Sequence, residues 1–242
     1  MQHSRIPILC TRPLGTQLVS TVEQNGLEID IIPFIRTEAM QSVEISNQIR
    51  FYGAQTIVAV FTSMNAAETV IKELQGVKPL WRIYCIGNTT RDTLIQYFGS
   101  NAIVDFANSA TALANKMIGV TGNVVFFCGD HRREELPKIL SNNGINVEEI
   151  IVYRTIQVVN KINKLYKGIM FFSPSAVVSF FSNNQVDNNT VLFAIGETTA
   201  ESIKTYCDNH IVVGDEPGKE NLVNTMIAYY QALNKQTIAN RN

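Results

Sequence analysis

Hydroxyl and amide side chains recur at the points where a predicted strand ends and a helix begins. They come in pairs at four such turns, namely Ser63 and Asn65, Thr89 and Thr90, Ser173 and Ser175, and Thr198 and Thr199. Backbone N–H groups point outward at the start of a helix, and the aligned peptide dipoles place about half a positive charge there. Such turns bind anions, and the hydroxyls add further donors. Any single residue could serve only as a helix cap, but four equivalent turns indicate a ligand with several negative charges.

These turns belong to an α/β pattern that runs along the whole chain. Short β-branched and aromatic runs alternate with segments of helical periodicity, which is typical of parallel sheets covered by helices. The ten predicted strands cover residues 6–10, 27–34, 56–62, 81–86, 102–105, 123–128, 147–153, 168–172, 191–195 and 211–213. Pro13 and Pro137 suit the first positions of helices, with 129–134 as a loop. Because the carboxyl ends of parallel strands meet at one edge, the turns are expected to line the crevice there.

The chain contains an internal repeat of two kinds of block. Block A, from I-L-C-T-R at 8–12 to N-G-L-E-I-D-I-I-P-F-I-R-T ending at Thr37, returns as F-F-C-G-D at 126–130 and N-G-I-N-V-E-E-I-I-V-Y-R-T ending at Thr155. Block B, V-F-T-S-M-N-A at 60–66 with C-I-G-N-T-T at 85–90, returns as F-F-S-P-S-A at 171–176 with A-I-G-E-T-T at 194–199. The order A-B-A′-B′ predicts two similar domains by duplication, most simply in tandem. Chance similarity is the alternative.

Composition and charge exclude several classes of protein. The 242 residues are 45% hydrophobic and 17% charged, which describes a soluble globular chain rather than a membrane, fibrous or disordered one. Twenty basic and 21 acidic side chains give a net charge of -1, so nucleic acid is not an expected partner. No apolar run approaches the ~20 residues of a membrane span, and the N-terminal apolar stretch is too short for a signal peptide. A cytoplasmic protein without a membrane partner is expected.

Motifs for metals, nucleotides and hydrolysis are missing from the sequence. The four cysteines form no C-x-x-C pair, and the three histidines lack the spacing of metal ligands. Neither G-x-x-x-x-G-K-[ST] nor G-x-G-x-x-G follows a strand, and there is no G-x-S-x-G elbow. No metal or cofactor is therefore expected. The other reactive groups near the turns include Arg12 and the phenol of Tyr153, which ends a predicted strand and could equally serve in packing.

Seven short motifs, in this order and spacing, resemble the uroporphyrinogen-III synthase family, cofactor-free enzymes of tetrapyrrole biosynthesis. They are T-R-P at 11–13, F-T-S-x-N-A at 61–66, I-G-x-x-T at 86–90, C-G-x-x-R-R-E-x-L-P at 128–137, V-Y-x-T at 152–155, F-F-S-P-S at 171–175 and I-G-x-T-T-A at 195–200. Each motif alone is weak, whereas the set spans most of the chain. The resemblance identifies the chain as a candidate cyclising lyase.

The resemblance implies an α/β fold of two flavodoxin-like, doubly wound parallel-sheet domains joined by a linker that is crossed twice. Domain 1 would be discontinuous, comprising residues 1–37 and 157–242, and domain 2 would comprise residues 38–156. This arrangement pairs block A with B′ and block B with A′, which the repeat alone does not show. A monomer is expected.

The reaction implied is the conversion of hydroxymethylbilane, a linear tetrapyrrole with eight carboxylates, to uroporphyrinogen III. Water is lost, the ring closes and the last pyrrole, ring D, is inverted; the electron-rich pyrrole nitrogen drives loss of the hydroxyl, so no cofactor is needed. Tyr153 matches the tyrosine proposed to protonate the leaving hydroxyl. Substrate carboxylates would be bound by Arg12, Ser63, Asn65, Thr89, Thr90, Ser173, Ser175, Thr198, Thr199 and Gly218.

One segment departs from the family pattern. Family members often carry a hydroxyl after the proline of the last turn, where this chain reads P-G-K-E at residues 217–220. The amide of Gly218 could replace that contact.

Two other functions stay open at this stage: a non-catalytic two-domain module that binds tetrapyrroles or other anions, and a Rossmann-like nucleotide enzyme, which the missing glycine motifs disfavour.

Overall fold

The structure, a computed structural model, describes residues 5–216 and 218–239. The chain divides into two compact units: unit 1 ends at Arg36 and resumes at Ile156, and unit 2 is Thr37–Thr155. The chain therefore passes between the units twice. No helix in the described ranges is both long enough and apolar enough to cross a bilayer.

Strands and helices alternate along most of the described chain. In order they are β1 (Ile6–Cys10), α1 (Thr16–Gln24), β2 (Leu27–Ile31), β3 (Ile35–Ala39), α2 (Val43–Gly53), β4 (Val58–Phe61), α3 (Met64–Glu73), β5 (Arg82–Ile86), α4 (Asn88–Phe98), a 3-10 turn (Ser100–Ala102), β6 (Ile103–Ala107), α5 (Ala110–Lys116), β7 (Val124–Gly129), α6 (Glu135–Asn142), β8 (Val147–Gln157), β9 (Gly168–Phe171), α7 (Pro174–Phe181), β10 (Val191–Ala194), α8 (Glu197–Lys204), β11 (Ile211–Val213) and α9 (Lys219–Ala239).

Unit 1 contains a five-stranded parallel sheet in the order β11-β10-β9-β1-β2. Counted along this unit, the strands read 2-1-3-4-5 from the β2 edge, which is the flavodoxin-like order of a doubly wound sheet. Successive side chains of a strand point to opposite faces. Accordingly, Ile8 packs with residues of α1 and α9, such as Val22 and Met226, whereas Leu9 packs with residues of α7 and α8, such as Phe180.

Unit 2 contains a six-stranded sheet in the order β3-β8-β7-β4-β5-β6. The five strands from β8 to β6 are parallel and repeat the order of unit 1, but the β7-α6-β8 part comes last in the chain rather than first. Block A therefore shares a sheet with B′, and block B with A′. Val60 packs with residues of α5 and α6, whereas its neighbour Phe61 packs with residues of α2, α3 and α4.

The predicted α/β class with two doubly wound parallel sheets is confirmed. All ten predicted strands are present, although the one predicted to continue to residue 34 ends at Ile31, before Pro33. The chain then forms β3, which the sequence analysis missed together with α2. Two helix starts were also wrong: α1 begins at Thr16 rather than Pro13, and Pro137 lies in the first turn of α6, which begins at Glu135.

Candidate functional site

Tyr153 lies on β8 at the carboxyl edge of the unit 2 sheet. Its register partner across the sheet is Gly129, the last residue of β7. A Cβ atom placed on Gly129 would lie 2.7 Å from the phenol oxygen of Tyr153. The aromatic ring therefore occupies the space that a side chain at position 129 would need, and the phenol is half-buried.

The surroundings of Tyr153 keep its phenol protonated. Burial raises the pKa of Tyr153 above its ordinary value near 10, a hydrogen bond with the Ser63 side chain lowers it, and the negative charge of Asp130 raises it further. The net effect is a raised pKa, so the phenol carries its proton at neutral pH. This is the form required of a proton donor.

Ser63 connects Tyr153 to the start of α3. The Ser63 hydroxyl oxygen accepts a hydrogen bond of 3.2 Å from the backbone N–H of Asn65 and so caps the helix. Asn65 lines a pocket of about 220 Å³ whose walls are Thr37, Ala39, Asn65, Glu68, Thr69, Lys72 and Tyr153. The structure therefore brings three predicted residues, Ser63, Asn65 and Tyr153, to one place.

Four of the pocket residues lie on α3 at helical spacing, and two lie on β3. The α3 residues are Asn65, Glu68, Thr69 and Lys72, whose separations of three and four positions place them on one helix face. That spacing is visible in the sequence and could have identified the polar face. Thr37 and Ala39 gave no such signal because the strand that carries them was not predicted.

The second predicted pair of unit 2, Thr89 and Thr90, lies in the first turn of α4. This helix starts after Gly87, which has a φ of 77° and provides no side-chain cap. Thr89 is exposed and Thr90 is buried. Because β5 is the sheet neighbour of β4, the turn at Gly87 lies next to the turn at Ser63 on the same edge.

The pairs in unit 1 repeat these two kinds of helix start. Ser173 caps α7, its hydroxyl oxygen accepting a 3.2 Å hydrogen bond from the backbone N–H of Ala176, and Ser175 is half-buried. Gly196, without a side-chain cap, precedes α8, in which Thr198 is exposed and Thr199 is buried. β9 and β10 are sheet neighbours, so both turns lie at one edge.

Gly218 lies at the start of α9, where its carbonyl accepts a hydrogen bond of 3.2 Å from the N–H of Leu222. Its φ of 141° lies in the left-handed region, in which a residue with a side chain is strained. This gives a physical reason for a glycine rather than a hydroxyl-bearing residue here. Pro217, which precedes it in the departing segment, lies outside the described residues.

Arg12 follows β1 and is half-buried at the carboxyl edge of the unit 1 sheet. Its guanidinium carbon lies 5.5 Å from the centre of the Phe172 ring. Burial lowers the pKa of the Arg12 guanidinium, and no carboxylate in ranges 5–216 and 218–239 forms an ion pair with it. Arg12 therefore presents a positive charge that an anionic ligand could neutralise.

The described part of the chain holds no group of three or more His, Cys, Asp or Glu side chains arranged to bind a metal ion. Cys10, Cys85 and Cys128 are buried thiols, and burial raises the pKa of Cys10 and of Cys85 to about 11. Thiolate chemistry at neutral pH is therefore not indicated for these residues.

Two residues next to Tyr153 were missed by the sequence analysis as parts of the site. Gly129, assigned there to a loop, ends β7 beneath the phenol ring. Asp130 follows it, and its backbone N–H donates a 3.2 Å hydrogen bond to the carbonyl of Tyr153. The repeat and the C-G motif contained both residues, but nothing in either pattern shows that they contact Tyr153.

Comparison with known proteins identifies similar sequences and folds. The family model described as Uroporphyrinogen-III synthase HemD matches residues 16–224. A mutant uroporphyrinogen III synthase from the extremely thermophilic bacterium Thermus thermophilus is 14% identical, with a TM-score of 0.66 over 95% of this chain and 99% of that one. Uroporphyrinogen-III synthetase from Helicobacter pylori is also 14% identical, with a TM-score of 0.63 over 93% and 99% of the two chains.

Proposed function

Since the chain belongs to the uroporphyrinogen-III synthase family, it is a cyclising lyase of tetrapyrrole biosynthesis, and we propose that Tyr153 is its proton donor. The reaction converts hydroxymethylbilane to uroporphyrinogen III with loss of water and inversion of ring D. The family match over residues 16–224 is the observation that carries the function. No described feature favours a non-catalytic binding module.

In the proposed first step, the phenol of Tyr153 gives its proton to the hydroxyl of the hydroxymethyl group. The electron pair of the adjacent pyrrole nitrogen expels water, which leaves an azafulvenium cation that keeps its N–H. Ring D then attacks through its substituted carbon, and the resulting spiro intermediate fragments and recloses with that ring reversed. The proton released when the last pyrrole regains aromaticity restores the phenol. The half-burial, raised pKa and hydrogen bond of Tyr153 support its role.

We propose that helix starts in both units bind the carboxylates of the substrate. At Ser63 and Ser173 the hydroxyl oxygen is occupied by a backbone N–H, which leaves the hydroxyl proton for a ligand or for Tyr153. At Gly87 and Gly196 no side chain caps the helix, so backbone N–H groups of the first turn are donors for a carboxylate. The paired residues at these helix starts are Ser63 with Asn65, Thr89 with Thr90, Ser173 with Ser175, and Thr198 with Thr199. Gly218 and Arg12 are two further residues that bind carboxylates in this proposal.

The flexibility of the substrate determines what the enzyme must do by binding. A flexible bilane left in water closes without inversion, so the enzyme must hold a folded conformer while ring D is reversed. When two reacting groups are held in the correct geometry, the effective concentration of one at the other can reach about 10⁵ M or more. Many weak contacts to carboxylates suit this task, and the loss of any one hydroxyl is expected to reduce activity only in part.

The proposal also covers the domain division, the cellular location, the oligomeric state and the partners of the enzyme. The enzyme has two domains, 1–37 with 157–242 and 38–156, a division that the limits of units 1 and 2 support to within one residue. It acts as a cytoplasmic monomer, and its near-zero net charge of -1 gives no reason to expect a nucleic-acid partner. Sedimentation of the purified protein, with a mass near 27.0 kDa if it is monomeric, tests the oligomeric state.

Product analysis tests the function directly. We expect purified protein, given freshly made hydroxymethylbilane, to yield uroporphyrinogen III in excess over the type I isomer that forms without enzyme. The products are oxidised to porphyrins and the isomers are separated by chromatography. A reaction without protein supplies the control, and exclusive formation of type I in both would remove the assignment.

The pH dependence of turnover follows from the raised pKa of Tyr153. A proton donor is active in its protonated form, so kcat should stay level through neutral pH and above the ordinary tyrosine pKa of about 10. Beyond the raised pKa, kcat should fall about tenfold per pH unit as the phenol ionises. The measurement is a pH profile of kcat with circular dichroism at each pH. A fall that begins near neutral pH would argue against the phenol as the donor.

A further inference from the structure

We propose that Gly129 and Asp130 are positioning residues that hold the Tyr153 phenol where it donates its proton. This inference rests on the proposed role of Tyr153. It concerns residues that do not themselves touch the reacting atoms: one leaves space for the ring, and the other fixes the backbone that carries it.

An irregularity in the pairing of β7 with β8 sets the direction of the Tyr153 side chain. Cys128 pairs with Ile151, but the next residue, Gly129, pairs with Tyr153, so Val152 is an extra residue on β8. A bulge of this kind redirects the side chains that follow it. With regular pairing, Val152 would lie opposite Gly129. The bulge instead places the phenol ring over the last residue of β7.

Position 129 requires a glycine because the Tyr153 ring occupies the space of a side chain there, and not because of the backbone conformation. Its φ is outside the left-handed region, unlike that of Gly218, so a residue with a side chain could adopt the same backbone. The obstacle is steric, because a Cβ atom there would lie 2.7 Å from the Tyr153 phenol oxygen, closer than real Cβ contacts allow. The ring would have to move, and with it the hydrogen bond with Ser63.

Asp130 holds the backbone of β8 at Tyr153 and two residues after it. Its backbone N–H donates a 3.2 Å hydrogen bond to the Tyr153 carbonyl, and its Oδ1 accepts a 2.9 Å hydrogen bond from the Thr155 N–H. The Val152 carbonyl, one residue before Tyr153, accepts a 2.8 Å hydrogen bond from the Met40 N–H. The backbone at Tyr153 is therefore fixed by partners before it, at it and after it.

Gly129→Ala tests the space above position 129. We expect kcat to fall about tenfold and KM to stay within about twofold, because displacement of a proton donor by an ångström affects chemistry more than binding. In a Tyr153→Phe background the same change should lower kcat less than about twofold, since no proton donor remains to be misplaced. Equal losses in the two backgrounds, or no loss in the wild type, would overturn the proposal.

Gly168→Ala is the matched control for crowding. A Cβ atom at Gly168 would lie 2.8 Å from the phenol oxygen of Tyr230, a clash of the same kind in unit 1, whereas Tyr153 belongs to unit 2. This variant should lower the melting temperature and leave kcat per folded molecule unchanged. A tenfold loss of kcat in Gly168→Ala would show that general strain explains the effect at Gly129.

Asp130 variants keep the proposal testable if Gly129→Ala does not fold. Asp130→Asn retains an oxygen that can accept the Thr155 N–H, whereas Asp130→Ala does not. We expect kcat to fall about threefold or more in Asp130→Ala and to stay within about twofold of wild type in Asp130→Asn. Equal losses in both variants would indicate a role of the negative charge and would overturn the positioning role of Asp130.

The outcomes separate this inference from the proposed function. If Tyr153→Phe keeps the wild-type kcat, the acid role of Tyr153 fails and the positioning role fails with it, while formation of uroporphyrinogen III by the wild type still stands. If Tyr153→Phe is slow but the Gly129 and Asp130 variants turn over at the wild-type rate, only the positioning inference is overturned.

Discussion

We expect Tyr153→Phe to lower kcat by about 10²- to 10⁴-fold, the range that one general acid contributes. The phenylalanine ring fills the same space over Gly129 and lacks only the hydroxyl, so binding and folding should change little. The hydroxymethyl oxygen must then leave without a proton from the enzyme. Steady-state kinetics with hydroxymethylbilane, together with a melting curve of each protein, measures the effect.

Tyr97→Phe is the matched control for loss of a phenol in unit 2. The Tyr97 hydroxyl donates a 2.8 Å hydrogen bond to the Val77 carbonyl, so its removal also costs a hydrogen bond. This variant should keep kcat within about twofold of wild type, because net hydrogen-bond energies near 1 kcal/mol affect stability and not the chemical step. If Tyr153→Phe is as active as Tyr97→Phe, the proton donor is a group other than Tyr153.

Arg12→Met should raise KM by about 10- to 100-fold with little change in kcat. The guanidinium is half-buried and has no carboxylate partner in the described residues, so a substrate carboxylate would gain a charge-assisted hydrogen bond. Such a bond is worth about 1.5–3 kcal/mol, which corresponds to that range of affinity. The expected split between KM and kcat follows from the proposed role of Arg12, which is to bind a substrate carboxylate and not the leaving hydroxyl.

Two further variants make the Arg12 experiment specific. Arg12→Lys keeps the charge and should recover part of the affinity, whereas Arg82→Met removes an exposed arginine of unit 2 and should leave KM unchanged. Kinetics at low and moderate ionic strength measure all three. If Arg12→Met and Arg82→Met have the same KM as the wild type, Arg12 does not bind substrate.

Strand positions were predictable from the sequence because buried parallel strands are short apolar runs bounded by turn residues. β3 escaped prediction because its residues, I-R-T-E-A, are half-exposed and include three polar side chains. The pairing of block A with B′ could not be derived from the repeat. A repeat shows which segments fold alike, whereas the choice of sheet depends on which strands hydrogen-bond, and that depends on contacts distant in sequence.

The candidate site was predictable to the extent that it consists of helix starts. Ser63 and Ser173 were expected at helix starts, and the structure shows both as caps. Gly129 and Asp130 were not predicted as partners of Tyr153, since a one-residue bulge in β8 decides which residue faces Gly129. A register shift of this kind leaves no mark in hydrophobic periodicity.

The most direct test of Tyr153 as the proton donor changes the leaving group instead of the protein. An aminomethylbilane carries an ammonium group that is already protonated at neutral pH, as a lysine amine with a pKa near 10 would be, and it needs no proton to leave as ammonia. The ratio of wild-type to Tyr153→Phe turnover is measured for both bilanes. The account predicts a ratio of about 10² or more for hydroxymethylbilane and less than about threefold for the aminomethyl compound. Equal ratios for the two would contradict it.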